Sequence, residues 1–341
     1  MHFKNGGKRL HCSAGMTNEG TKPLLGAHVS GAGGLYRTIE NATRLGATTI
    51  QFFGASPRQW YAPLPKAEDI EIYKKTRATS NVQKVFLHGA YLANLASSNH
   101  ELRQKSIESL SSHLKIAHMV DAQGLIFHMG SVGGNNRQEG LQKTIEGMKI
   151  ILENVPGTVE LIMENSSGGG GKLCSDVDEL AFIKQGVNSD RIKVCLDTQH
   201  AFASGVIEEY TPERIQNLLS KWEKVLGLSN ISLFHVNDSK TKTNTQHDRH
   251  ENLGEGFIGL DGFKHLAKEG TKKSLHHVSW ILEVPGFSDE GPDERNMEIL
   301  RGLFSGFRVR SNAAYDISDE CLTELFGLSK CNLYYSCSRI D

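Results

Sequence analysis

The chain has 341 residues, 38% of them apolar, enough for a large buried core and for one α/β barrel of ordinary size that uses most of the chain. Lys and Arg number 38 against 39 Asp and Glu, a formal charge of -1, which excludes the strongly basic field of a general nucleic-acid binder and leaves any such binding to a local surface. No stretch has the apolar length needed to cross a bilayer and the six Cys are irregularly spaced, so no membrane partner is expected, and a cytoplasmic protein with free thiols is.

In chain order, Met1 to Pro23 is polar, carries three basic residues before its first acid at Glu19, and is expected to be a disordered extension. Within it Met16 offers an alternative start, and a short organellar targeting peptide is the competing reading of the same stretch. From Leu24 to Phe304 eight short runs rich in Val, Ile, Leu and Phe read as buried parallel strands. They are Leu24 to His28, Thr48 to Phe53, Lys84 to His88, Gly124 to His128, Val159 to Glu164, Ile192 to Asp197, Ile231 to His235 and Ser279 to Glu283. Each is followed by a turn or Gly-containing stretch and then a helical pattern. After the third strand Ile107, Leu110, Leu114 and Ala117 form one apolar stripe. Before the seventh, Thr211 and Pro212 mark a helix start whose apolar face is Ile215, Leu218, Leu219, Trp222 and Val225. Eight strands alternating with helices predict a single (β/α)8 TIM barrel over residues 24–304. The tail, 305–341, carries Cys321, Cys331 and Cys337 at no metal-finger spacing and receives no role.

In such a barrel all strand carboxyl ends open onto one face, so His88, His128, Glu164, Asp197, His235 and Glu283, each ending a run, are expected to converge there. Two further pairs add to them. Asp197 and His200 are three apart, where a helical turn brings both to one side, and Asp248 and His250 are two apart, where an extended segment points both the same way. A lone strand-end His is more often a hydrogen-bonded structural residue than a ligand. Nine imidazole and carboxylate donors without a thiolate exceed what one or two ions need. Such donors suit zinc, manganese or iron, and imidazole-rich sites that activate water are most often zinc sites, so a metal-dependent hydrolase is predicted. The glycines at 31, 33 and 34 do not have dinucleotide-loop spacing.

The order and content of the motifs are specific. Gly26 to Ser30, Ser56 to Trp60, His88 to Leu95, Phe127 to Ser131, Met163 to Ser166, Leu196 to Gly205, His235 to Lys240, Asp248 to Gly256 and Leu282 to Gly286 together resemble the endonuclease IV family of DNA-repair enzymes. The resemblance implies a three-zinc barrel, with manganese or iron as substitutes, that acts as a monomer on double-stranded DNA containing abasic (AP) sites. It implies that His88 and His128 hold one zinc, that Glu164 bridges it to a second held also by Asp197, His235 and Glu283, and that His200, Asp248 and His250 hold the third. It further implies base excision repair chemistry: hydrolysis of the phosphodiester 5′ to the abasic site, leaving a 3′-hydroxyl and a 5′-deoxyribose phosphate, with Glu164 and Glu283 as the catalytic carboxylates that fix the ions. Arg58 and Gln59 after the second strand, and Tyr91 and Leu92 after the third, fall at the family's DNA-contacting positions. One departure is Met129, where the family usually has Pro, which would loosen that loop.

Two other readings compete. A metal-dependent sugar isomerase or epimerase of related barrel shape would use Glu164, Asp197, His235 and Glu283 alone and leave the other donors idle. A protein that marks abasic DNA without cutting it would need a defect in a ligand set that has none.

Overall fold

The computed structural model of the chain describes residues 23–305, so the expectations for the two terminal segments fall almost wholly outside the described residues. In chain order the strands are β1 (Leu25–His28), β2 (Thr49–Phe53), β3 (Lys84–His88), β4 (Gly124–Phe127), β5 (Glu160–Glu164), β6 (Ile192–Asp197) and β7 (Ile231–His235). A small antiparallel ribbon, β8 (Asp238–Ser239) with β9 (His250–Glu251), comes before the last strand, β10 (Ser279–Leu282). Eight of these strands, all but the ribbon, pair in parallel in the closed order β1-β10-β7-β6-β5-β4-β3-β2. The fold is the predicted TIM barrel.

Helices α1 (Tyr36–Arg44), α2 (Ala67–Ala78), α3 (His100–Met119), α4 (Arg137–Asn154) and α5 (Val177–Val187) follow the first five strands. Then come α6 (Thr198–Ala203) and α7 (Pro212–Val225) after β6, α8 (Gly259–Lys272) before β10, and α9 (Glu294–Ser305) after it. The stripe read on α3 is buried at Ile107, Leu110, Leu114 and Ala117, and the Thr211 hydroxyl caps α7 by accepting from the Arg214 amide. The apolar faces of the helices pack with the sheet into the greater part of the core.

Inside the barrel a separate apolar cluster holds one residue from each of six strands: Phe86, Ile126, Ile162, Cys195, Leu233 and Ile281. Side chains on a strand alternate faces, so the residue two positions later shares the interior. Those residues are His88, His128, Glu164, Asp197, His235 and Glu283. β4 and β10 end at Phe127 and Leu282, so His128 and Glu283 lie one step beyond the hydrogen-bonded ladder, where the chain is leaving the barrel.

The barrel closes tightly at β1 and β2. A Cβ built on Gly26 would lie 1.6 Å from the Thr49 carbonyl oxygen, whereas one on Gly134 meets nothing within 4 Å. Gly26→Ala is therefore expected to destabilise the protein by about 3 kcal/mol or more, the upper range for forcing atoms into a packed core, while Gly134→Ala is close to neutral. Equal midpoints for the two variants in denaturant unfolding would refute this.

Candidate metal centre

The nine donors predicted from sequence come together at the mouth formed by the carboxyl ends of the strands, eight of them in three overlapping groups. Within each of the sets His88–His128–Glu164, Glu164–Asp197–His235–Glu283 and Asp197–His200–His250, donor atoms lie within 4.8 Å of one another. Glu164 joins the first two. Its Oε2 is 3.2 Å from His88 Nε2 and 3.7 Å from His128 Nε2, and its Oε1 is 3.0 Å from His235 Nδ1 and 3.2 Å from His200 Nδ1. Asp248, on the segment entering β9, reaches His200 Nε2 at 3.1 Å and His250 Nε2 at 3.4 Å. Asp197 caps α6 by accepting from the His200 amide, so the strand-to-helix turn presents its carboxylate and the imidazole to the same space.

Main-chain carbonyls fix three of the rings. Nδ1 of His88 lies 2.9 Å from the Gly89 oxygen, that of His200 2.8 Å from the Asn165 oxygen, and that of His250 3.2 Å from the Glu283 oxygen. A carbonyl can only accept, so each ring donates its Nδ1–H there and turns its Nε2 atom toward the acids. The Nε2 atoms of His200 and His250 are buried, with Asp248 at ion-pair distance but no aligned hydrogen bond. Buried polar atoms are rarely left so, and an imidazole nitrogen aimed into a carboxylate-lined space is suited to bind a divalent cation once deprotonated. Asn237 ties the acids together, its side chain donating to Asp197 Oδ2 at 2.7 Å and accepting from the Glu283 amide at 2.8 Å.

The electrostatics follow from this crowding. Burial opposes ionisation of Glu164, yet the imidazoles of His128, His235 and His200 outweigh it and hold the carboxyl well below its ordinary range. Burial likewise disfavours a charged His200, but Asp197, Asp248 and Glu164 raise it well above the usual imidazole value. Each set of groups demands the opposite charge from its neighbours. Cys195, beneath them, is pushed up to about 12 by burial and offers no thiolate.

Around this centre lie the loops expected to touch DNA. Arg58 and Gln59 are exposed after β2, and Tyr91 and Leu92 are 59% and 37% exposed after β3. The Tyr91 amide donates to the Pro57 carbonyl at 3.1 Å, joining the two loops, and its ring packs edge-on against Phe53 and His88, centroids 5.3 and 5.7 Å away. Met129 is buried in the core, and the next residue's carbonyl accepts from the Leu173 amide.

Three residues with structural parts in the centre are not among those the sequence singles out. His28 and Gln51 lie on the two strands that supply no predicted ligand, and Gln51 bonds His28, His235 and Glu283. Their positions on the inward face of β1 and β2 are the available signal. Asp238 is fully buried, and its carboxylate accepts from the amides of Ser239, Gly254, Gly256, Ile258 and Gly259. It holds the chain after β9 around the root of the ribbon that carries Asp248 and His250.

A buried, histidine- and carboxylate-lined centre at the mouth of a parallel barrel defines a class of metal-dependent TIM-barrel enzymes. Residues 39–302 match the family described as xylose isomerase-like TIM barrel. The probable endonuclease 4 of Aquifex aeolicus is 36% identical over 283 residues, covering 82% of this chain and 98% of the relative, and that of Halothermothrix orenii is 34% identical over 278 residues, covering 81% and 99%. The crystal structure of endonuclease IV from Thermus thermophilus superposes with a TM-score of 0.72 at 29% identity, covering 84% of this chain and all of that one. The chain belongs to the endonuclease 4 family within those barrels, and is a nuclease and so a hydrolase. A D-tagatose 3-epimerase-like protein, with TM-score 0.65 at 17% identity over 82% of this chain and 97% of that one, shares the fold.

The ribbon gives a direct test of this geometry. Asp238→Asn puts an amide N–H against backbone N–H groups, and is expected to cost about 1–3 kcal/mol, the usual penalty for buried unmatched polar groups. Hydrogen exchange should speed up at Gly254, Gly256, Ile258 and Gly259 while the barrel strands keep their protection; uniform loss of protection would contradict a local clamp.

Proposed function

We propose that the protein is an AP endonuclease that cleaves the phosphodiester 5′ to abasic sites in double-stranded DNA, leaving a 3′-hydroxyl and a 5′-deoxyribose phosphate. The observation that carries this reading is the convergence of nine thiolate-free donors around Glu164, beside the exposed Arg58–Gln59 and Tyr91–Leu92 loops. His88, His128 and Glu164 would hold one zinc, Glu164, Asp197, His235 and Glu283 a second, and His200, Asp248 and His250 a third. Manganese or iron would suit the same donors. Bound there, such ions supply Lewis acidity and an activated water, with no need for a nucleophilic side chain.

Each residue then has a task of its own. Glu164 and Glu283 fix the spacing of the first two groups, and the carbonyl-bonded imidazoles keep their lone pairs directed. Arg58, Tyr91 and Leu92 penetrate the DNA and help hold it kinked with the abasic nucleotide extruded, with Gln59 beside them as a further DNA contact. An abasic nucleotide has lost its base stacking, so extruding it costs less than extruding an intact one, and selectivity follows. A sugar isomerase would need only Glu164, Asp197, His235 and Glu283. The surplus of His88, His128, His200, Asp248 and His250 favours the nuclease.

Incubation with a duplex bearing one abasic site is expected to give a single nick on its 5′ side, abolished by a chelator and restored by zinc, with close to three ions per chain by metal analysis. Binding without nicking would overturn the proposal. Tyr91→Ala combined with Leu92→Ala is expected to lower kcat/KM on that duplex roughly 10-fold or more, a loss of the size of an interface anchor, without changing ion content. Unchanged kinetics would remove those two residues from recognition.

A further inference from the structure

His88, His200 and His250 each give a ring N–H to a main-chain carbonyl, but His235 does not. Its Nε2 instead lies 2.7 Å from Oε1 of Gln51, a fully buried side chain on β2. The amide's other end faces Glu283 Oε1 in a close contact, and His28 Nδ1 at 2.9 Å. A carboxylate only accepts, so the amide nitrogen must be the end that faces Glu283. It follows that the amide oxygen faces His235 and accepts, so Nε2 of His235 carries a proton. Nδ1, 3.0 Å from Glu164 Oε1 and 3.2 Å from Glu283 Oε2, is then the atom offered to the acids. The second amide N–H falls on His28 Nδ1, which must be unprotonated. One amide thereby sets the protons of two imidazoles and the direction of one carboxylate.

We propose that Gln51 is a positioning residue for the second ion: it holds His235 in the tautomer that presents Nδ1 and turns Glu283 into the same group. β1 and β2 supply none of the predicted ligands, yet through the paired His28 and Gln51 they complete the ring around the centre. Nδ1 and two carboxylate oxygens at these distances repel unless a cation lies among them, a proton on the ring in the metal-free molecule or a metal ion in the loaded one. The inference rests on the reading that Glu164, Asp197, His235 and Glu283 hold a divalent ion.

The full chain loaded with zinc, and in parallel with cobalt(II) as an optical probe, would be compared with Gln51→Leu, which keeps the volume but neither donates nor accepts. One ion is expected to bind about 10- to 100-fold more weakly to the variant in competition with a chelator, the usual effect of losing an outer hydrogen-bond partner, and the cobalt absorption to shift. Circular dichroism should be unchanged. Wild type that binds no ion would sink the underlying reading. Wild type that binds its ions, with a variant equal to it in affinity and spectrum, would sink the role of Gln51 alone. Neutron diffraction from zinc-loaded wild type decides the matter if the variant does not fold: a deuteron on His235 Nε2 supports the assignment, and one on Nδ1 overturns it.

Discussion

The rest of the centre depends on one carboxylate out of reach of water. Glu164 is fully buried, and its two oxygens together face four imidazoles. An isolated charge in such a place would cost several kcal/mol even after relaxation, so the surroundings must answer it with positive charge. Protons on the rings do so in the metal-free molecule. Divalent cations would do so more completely, because they leave the imidazoles neutral and satisfy several acceptors at once.

The barrel makes this arrangement through its layers. The six apolar residues from Phe86 to Ile281 fill the interior below, and exclude water from that side. One step of strand periodicity above them, the same strands turn from apolar to ligating residues. A strand register off by one would send that strand's donor into the helix layer. Above the donors, the carbonyls of Gly89, Asn165 and Glu283, all at the points where chain leaves the sheet, are free to accept from the rings because the ladder has ended. Loss of regular structure at the strand ends is thus part of how the site is held.

Much of this is legible in the sequence, and for a physical reason. Buried parallel strands are short and almost wholly apolar, so a His, Asp or Glu at the end of one stands out, and all eight strands appear within a residue of the predicted bounds. The motifs then separate the endonuclease 4 family from sugar-metabolising barrels of the same shape. What escapes is indirect. Gln51 is not a metal-binding residue type, and its importance lies in which atoms its amide faces across the barrel. Asp238 looks like any acid after a strand until the five amides around it are seen. Met129 fills space in the core, a burial that depends on packing between segments distant along the chain.

The last strand to join the barrel, β10, lies between β7 and β1, and Glu283 follows directly on it. The group shared by Glu164, Asp197, His235 and Glu283 is therefore incomplete in a nascent chain whose first seven strands alone have left the ribosome, however well those have paired. Such a chain can begin to curl its sheet but cannot gather the three acids and one imidazole that the group needs together. That group is therefore completed only when the last strand in chain order closes the barrel.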